Sequence, residues 1–498
     1  MLSGNYISNT FALSSKTFDN KNNYLMSGFF GSVLKNDCVA DVFYGTDYHS
    51  HLGTKRAGMA FHCSEKGFQR AIHSLEDGYF RNKFENDIAG FKGNCGIGVI
   101  SDSEAQPILV TSHLGRFAVA TVSKIVNIDE LEEQFMQMRR TFSETSQGSV
   151  NPTELVAMLI AEGEDFVAGI ENVFKRIKGS CSMMILTENG IIAARDKLGR
   201  TPIIVGKKEN GYGLTFETCA FPNLGYEVEK YLGPGEIVSV TADGCEQLRK
   251  PSEKMQICSF LWVYYGYPPS FYEGINVDES RYRCGAALAK DDNAKADFVA
   301  GIPDSGVGHA MGYSNEKRIP LKRPYSKYTP TWPRSFMPQN QNMRDLVAKM
   351  KLIPNNSILK GNSGVFLDDS IVRGTQLKDN VTDLHAAGIS EVHVRIACPP
   401  LTYPCEFLNF SRSRSNFDLA TYKAVAQLEN KTEEEMIGYD MSEYSDSNSP
   451  KHQAMVEQIC KNLNLTTLKF QKLEDLVEAI GLPKEKLCTH CWDGSSHF

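Results

Sequence analysis

The segment Gly364-Val365-Phe366-Leu367-Asp368-Asp369-Ser370-Ile371-Val372-Arg373-Gly374-Thr375 governs the reading of the whole chain. An apolar run ends in two adjacent carboxylates, and a short turn then leads into a helical pattern from Gln376 to Ala387. A buried strand that turns into a helix in this way puts its carboxylates at the carboxyl edge of a sheet, where open α/β sheets bind ligands. Small residues at the turn let backbone N–H groups face an anion, and the helix N-terminus favours negative charge. A phosphate cradle beside two carboxylates suits a sugar phosphate: the cradle takes the phosphate, and the carboxylates take sugar hydroxyls or a Mg2+ ion. An Asp pair alone is equally an acidic helix cap, so it is the full twelve-residue string that argues for a ligand.

Working outward, strands alternate with helices. Phe298-Val299-Ala300-Gly301-Ile302 precedes a Gly-rich turn and a helix, and Glu391-Val392-His393-Val394-Arg395-Ile396-Ala397 reads as a further strand. The alternation predicts an α/β domain whose parallel sheet carries helices on both faces. Tyr439 to Ser449, acidic and Ser-rich, reads as a loop, and about Ser449 to Ile480 as a terminal helical region. Ahead of a polar stretch at Lys250 to Gln256 the texture differs. Apolar runs such as Gly96 to Ile100, Phe117 to Val122, Ser182 to Leu186 and Gly190 to Ala194 predict layered sheets of an α+β domain. Helical patterns at Asp129 to Met138 and Pro152 to Glu162 interrupt them. The expected division is an N-terminal extension over 1–26, rich in Asn, Ser and Thr and expected to be mobile, a first domain over 27–250, a second over 251–480, and a tail over 481–498.

The chain has 498 residues, 41% of them apolar and 23% charged, which is enough to bury more than one core. Sixty acidic against 53 basic residues give a net charge of -7, which argues against a dedicated nucleic-acid or anionic-membrane binder while leaving room for a local basic pocket. There is no run of about 20 apolar residues, so no transmembrane helix is expected. The 13 cysteines are odd in number and irregularly spaced, and no secretory signal is visible, so reduced thiols in a cytoplasmic protein are expected.

The quoted segment resembles the phosphoribosyl pyrophosphate (PRPP) loop of type I phosphoribosyltransferases, and most closely that of the amidophosphoribosyltransferases, or glutamine PRPP amidotransferases. Ile302-Pro303-Asp304-Ser305-Gly306 is similar to the family's Pro-Asp-Ser-Gly turn. Arg334-Ser335-Phe336 resembles part of its flexible lid, and Lys349-Met350-Lys351-Leu352 the basic stretch that follows. Glu217-Thr218-Cys219-Ala220-Phe221 and Leu232-Gly233-Pro234-Gly235-Glu236 resemble the end of its glutaminase domain. The likeness runs from Ser27 to Cys491, strong over the second half and degraded over the first.

The resemblance implies an N-terminal-nucleophile-type sandwich followed by a type I phosphoribosyltransferase domain. It implies displacement of pyrophosphate from the ribose C1 of PRPP by ammonia, giving the phosphoribosylamine of de novo purine biosynthesis. Asp368 and Asp369 would hold ribose and, with Ser305, Mg2+. Ser370, Ile371, Val372, Arg373, Gly374 and Thr375 would hold the 5-phosphate. Arg334, Lys349 and Lys351 would meet the pyrophosphate beneath a lid around Pro324 to Pro338 that excludes water. A homo-oligomer, tetramer or dimer, inhibited by purine nucleotides is also implied.

Cys488-Thr489-His490-Cys491 alone is a redox pair, a zinc half-site or a coincidence. Some members of the resembled family carry a structural [4Fe–4S] cluster on this tail motif and two distant cysteines, which fall here on Cys258 and Cys405. Zn2+ in a four-cysteine site is the competing assignment, and His490 reads as a bystander.

The first half departs from the family. An N-terminal nucleophile needs a Cys with a free α-amine. Here Ser27 stands in the matching string Ser27-Gly28-Phe29-Phe30-Gly31, behind Met26 and the extension. The family's His-Arg-Gly is His51-Leu52-Gly53, and its Gly-His-Val-Arg-Tyr is Gly98-Val99-Ile100-Ser101. Its oxyanion-hole Asn-Gly falls on Val122-Ser123, and its amine-binding Asp falls near Pro152. Cys95-Gly96-Ile97-Gly98 mimics a processed start, but cleavage there would discard His51-Leu52-Gly53. Losing one oxyanion donor costs about 10²–10³ in rate, and here nucleophile, donor and anchors are all replaced. The expectation is an amidophosphoribosyltransferase fed by ammonia, with the glutaminase fold kept and its activity lost. A glutamine-dependent enzyme using Ser27 and a non-catalytic PRPP or nucleotide sensor are the alternatives.

Overall fold

The computed structural model describes residues 27–146, 149–327, 352–408 and 416–495. The extension over 1–26 therefore lies outside the described residues. Apart from the short pair Thr145–Ser146 and Ser149–Val150, the strands from Ser27 to Arg249 form two antiparallel sheets. One has seven strands, with Ser27–Leu34 at its centre between Gly211–Thr215 and Cys95–Ser101. The other has six, with Gly179–Thr187 between Gly190–Ala194 and Gly115–Ile125.

The near-continuous apolar runs follow from burial on both faces of each sheet. Ala118, Ala120, Met184 and Leu186 point inward to a core shared with Phe29, Val33, Ile97 and Val99 of the facing sheet. Their neighbours Phe117, Val119, Met183 and Ile185 point outward, against Leu131, Phe135, Leu155, Leu159, Ile170 and Val173 of the helices Ile128–Gln137, Pro152–Ile160 and Phe166–Arg176. On the far side, Val39–Asp47 and Phe80–Gly90 cover Leu34, Met59, Phe61 and Ile100. The result is a four-layer helix–sheet–sheet–helix sandwich.

The second half is a four-stranded, all-parallel sheet in the order Phe298–Gly301, Ser363–Asp368, Glu391–Ile396, Thr467–Phe470. Alternation again assigns the faces. Val299, Val365 and Leu367 meet Leu288, Ala310 and Tyr313 of the helices Val277–Lys290 and Gly306–Lys317. Phe298, Phe366, Val392 and Val394 meet Leu377, Val381 and Leu384 of the helix Thr375–Ala386. The expected α/β domain with helices on both faces is present.

Two expectations are corrected. The span from Ser449 to Ile480 is not all helix: after Pro450–Asn462 the chain forms the edge strand Thr467–Phe470 before the helix Leu473–Ile480. Asn464, in a left-handed conformation at φ 55°, ends the first helix, and Thr466-Thr467-Leu468 favours extended backbone. The four-residue strand is too short to show a period between two helical stretches. The expected loop from Tyr439 to Ser449 holds a helical turn at Ser442–Ser445.

The tail is packed rather than loose. Leu487–Cys488 pairs in parallel with Ile257–Cys258. Trp492, 2% exposed, stacks on Phe260 with ring centroids 5.0 Å apart, a contact worth about 0.5–1.5 kcal/mol beyond its burial.

Candidate active site

A cavity of about 430 Å3 opens at the carboxyl edge of the parallel sheet. Its floor is the quoted segment from Asp368 to Thr375, and its sides include Ile302 to Ser305, Arg281 and Lys327. The first half of the chain contributes His51 and Leu52 to the wall.

The local fold explains the placement. Ile371 and Val372 are buried and anchor the turn, and the Val372 carbonyl accepts from the Ala420 amide at 2.8 Å. Gly374 sits at φ 75°, the left-handed conformation that lets the chain leave the loop and enter the helix Thr375–Ala386. Gly306 is needed for close approach: a Cβ there would lie 2.3 Å from the Leu367 carbonyl oxygen. The turn before it is thereby held against the strand end, and Ser305 Oγ donates to Asp369 Oδ2 at 2.5 Å. Ser370 Oγ donates to Asp369 Oδ1 at 2.5 Å, and the Asp369 amide donates to Asp368 Oδ1 at 3.0 Å.

Both carboxyls are pushed above the usual range. Burial is the main cause at each; the neighbouring Asp369 adds to it at Asp368, and the Ser305 and Ser370 bonds and the Arg281 charge oppose it at Asp369. Asp369 is buried and Asp368 half-buried, and two such carboxyls side by side call for a counter-charge. Hard oxygen donors from two carboxylates and a serine hydroxyl fit Mg2+, which usually completes its shell with water and substrate phosphate.

Several groups at the site carry no sequence signature. Arg281 is 3% exposed and donates to the carbonyls of Trp262, Tyr264 and Gly266 at 2.8–2.9 Å. It lies inside an ordinary helical pattern, and only the fold brings it beside Asp369. Lys327 pairs with Asp304 at the rim. Arg334, Lys349 and Lys351, and most of the expected lid, lie outside the described residues. Arg373 lies at the loop's solvent side, 3.8 Å from Asp418.

The positions aligned with the glutaminase machinery are also brought together. Ser27 is 7% exposed, with its Oγ donating to Ser101 Oγ at 3.2 Å, and Ser101 reaches Ser103 at 3.3 Å. Thr121 connects to Ser123 at 3.3 Å and to Thr153 at 2.8 Å. Gln106, 1% exposed, binds the Thr121 amide at 2.7 Å, the Thr121 carbonyl at 3.1 Å and Glu104 at 3.2 Å. Burial raises the Glu104 carboxyl. Leu52, where the family has Arg, packs over Gly28, which has no room for a Cβ. Cys95 lies mid-sheet, between Val33 and His62, and burial pushes its thiol up to about 12.

Cys258, Cys405 and Cys491 are buried, and Cys488 is half-buried. Cys491 and Cys405 share a hydrogen bond, and Cys258 lies within electrostatic reach of both Cys405 and Cys488. The Cys491 bond holds the Cys405 thiol below its ordinary range despite burial, aided by Lys124 and by backbone N–H groups such as that of Leu408, 3.3 Å from the sulfur. The donor chemistry fits a four-thiolate centre. The geometry is looser than expected: among the described residues, no group of three or more His, Cys, Asp or Glu side chains stands ready to hold a metal ion. His490 faces the carbonyls of Pro404 and Ser495 at 3.1 and 3.2 Å.

Known proteins resemble this chain in sequence and in fold. The family described as glutamine amidotransferase domain matches residues 95–220. The amidophosphoribosyltransferase of Methanocaldococcus jannaschii is 30% identical over 495 residues, covering 94% of this chain and 97% of that one. That of Bacillus subtilis is 29% identical over 466 residues, covering 91% and 89%. The solved glutamine phosphoribosylpyrophosphate amidotransferase from B. subtilis, complexed with ADP and GMP, superposes with a TM-score of 0.79 at 28% identity over 94% of this chain and 96% of that one. With likeness of this extent in both sequence and fold, the chain belongs to the amidophosphoribosyltransferase family.

Proposed function

We propose that this amidophosphoribosyltransferase makes 5-phosphoribosylamine from PRPP with ammonia, not glutamine, as its nitrogen source. One observation carries the proposal. The polar groups around Ser27 are bonded to one another and Leu52 packs over the adjoining Gly28, while the groups around Asp369 line an open cavity.

In this reading the backbone N–H groups and hydroxyls from Ser370 to Thr375 bind the 5-phosphate at the start of the helix. Asp368 and Asp369 orient the ribose hydroxyls and, with Ser305, hold Mg2+. Bound there, Mg2+ supplies the charge that offsets the departing pyrophosphate. Arg334, Lys349 and Lys351 are assigned to the pyrophosphate by resemblance. Arg281 holds the carbonyls of Trp262, Tyr264 and Gly266 and sets the wall next to Asp369. Cys258, Cys405, Cys488 and Cys491 would hold a [4Fe–4S] cluster or Zn2+ that cross-links the tail and takes no part in the reaction.

The test is product formation from PRPP and Mg2+ with ammonium against glutamine. Turnover with ammonium and none with glutamine is expected. Efficient glutamine-dependent turnover would overturn the ammonia assignment and point back to Ser27. PRPP binding without turnover on either nitrogen source would favour a sensor.

A further inference from the structure

Nitrogen supplied from solution raises a chemical difficulty. A glutaminase releases neutral ammonia, whereas dissolved ammonia near neutral pH is almost all ammonium, which has no lone pair with which to attack. A site fed from solution can use the small neutral fraction directly, and one that holds a base can draw on the ammonium pool as well.

The cavity wall contains one such arrangement. His51 is 20% exposed at the side chain, and its Nε2 lies 3.2 and 3.1 Å from the two carboxylate oxygens of Glu217, which is fully buried. Glu217 is fixed in turn by Tyr272 Oη at 2.7 Å, Ser270 Oγ at 3.3 Å and the Tyr267 amide at 3.4 Å. The Tyr267 ring packs on the imidazole with centroids 5.1 Å apart. Burial disfavours the Glu217 charge, but the charge His51 carries when protonated, with the His51 and Tyr272 hydrogen bonds, outweighs it and holds the carboxyl at about 2. An ionised carboxylate accepts an N–H, so the neutral imidazole carries its proton on Nε2 and its lone pair on Nδ1. Nδ1 makes no hydrogen bond among the described residues. The other titratable groups near the pair are His49, Cys219 and Tyr272 behind it, and Tyr264, Tyr265, Tyr267, Arg281, Lys327, Arg373, Asp304, Asp368, Asp369 and Asp418 around the cavity. His49 is kept neutral by burial, which lowers it to about 4.

We infer that His51 is the general base of the nitrogen step, accepting a proton from ammonium inside the cavity, with Glu217 as its positioning residue. This rests on the ammonia reading above. Ammonium gives one proton to His51 Nδ1. The freed lone pair forms the C–N bond at the ribose C1, and the C1–O bond breaks with its electron pair leaving on pyrophosphate. His51 passes its proton to water, and the new amine sheds its excess proton to solvent. No redox partner is needed.

The test compares two nucleophiles on the full chain, with PRPP and Mg2+ saturating. Hydroxylamine is largely unprotonated at neutral pH and needs no base. In His51→Asn and His51→Gln the ammonium-dependent kcat is expected to fall on the order of 10²-fold, while the hydroxylamine-dependent rate stays close to wild type. The ammonium defect shrinks as the pH rises toward the point where ammonia is free. A retained hydroxylamine rate also shows that the variants are folded. Equal losses with both nucleophiles, or no loss with ammonium, would overturn the role of His51. Glutamine turnover by the wild type is measured separately and bears on the ammonia reading alone, so the two failures are distinguishable.

Discussion

The cluster around Ser27 and the cavity around Asp369 both hold buried polar groups, but those groups are satisfied differently. Around Ser27, Ser101, Gln106, Thr121 and Thr153 bond to one another and to nearby backbone. Around Asp369, two carboxyls raised by burial stand over open space, and the start of the helix Thr375–Ala386 faces the same cavity. A binding site keeps its polar groups available at a cost in stability, because a buried group without a partner is expensive. Side chains that close a pocket on themselves recover that cost and leave nothing for a ligand.

The largest effect expected from this contrast is at the acidic pair. Asp368→Asn combined with Asp369→Asn should lower PRPP-dependent turnover by at least about 10²–10³-fold. The same double variant should melt higher than wild type at neutral pH. The sign follows from the raised carboxyls: a group whose folded pKa lies above its unfolded value stabilises only at low pH and loses that contribution as the pH rises. The gain in melting temperature should therefore vanish below the ordinary carboxylate range. A double variant that is fully active, or less stable at every pH, would break the contrast on the open side.

Glu217 tests the wall that the two regions share. Glu217→Gln removes a buried charge bonded to His51 and Tyr272, and should cost about 2–3 kcal/mol in denaturant unfolding. Its carboxyl is held at about 2, against roughly 4.3 in the unfolded chain, so its contribution is complete above that unfolded value and is lost as the pH falls toward 2. The stability gap between wild type and variant should close across that window, and a gap independent of pH would show that the charge is not what matters.

How much of this was legible beforehand differs between the two regions for a physical reason. The stretch from Asp368 to Thr375 is contiguous, so one strand end, two carboxylates and one helix start are adjacent in sequence as well as in space. The Ser27 pocket draws on residues 27, 101, 106, 121 and 153, which only the pairing of the two sheets unites. There the family likeness revealed what was missing; it gave no hint that Gln106 and Glu104 occupy the interior. Arg281 and Glu217 were unreadable as site residues for the same reason. Arg281 lies within an amphipathic helix, and Glu217 is separated by 166 positions from the His51 it holds. The sandwich and the parallel sheet were readable because strands buried on both faces leave near-continuous apolar runs between turn signals. Thr467–Phe470 was not, because four residues between two helices carry too little pattern.

Smaller effects should appear on the closed side, in stability rather than in rate. Gln106→Ala strips the Thr121 amide and carbonyl of their partners and should cost about 1–3 kcal/mol, read as a lower denaturant midpoint with ammonium-dependent turnover intact. A loss of turnover without a loss of stability would mean that the pocket still serves the reaction.

Ser27→Ala is the smallest and sharpest of these tests. Ser27 Oγ makes a single 3.2 Å bond to Ser101, and Ser101 keeps its contacts with Ser103 after the change. The loss should be within about 1 kcal/mol, since one of two partners remains and only a small cavity is opened. If Ser27 were a working nucleophile, the same substitution would abolish glutamine-dependent release of ammonia while leaving the ammonium-dependent reaction untouched. If the proposed function holds, Ser27→Ala and wild type give the same rates with ammonium, and neither responds to glutamine. One hydroxyl, nearly neutral for folding, thus separates a serine that fills a pocket from a serine that reacts.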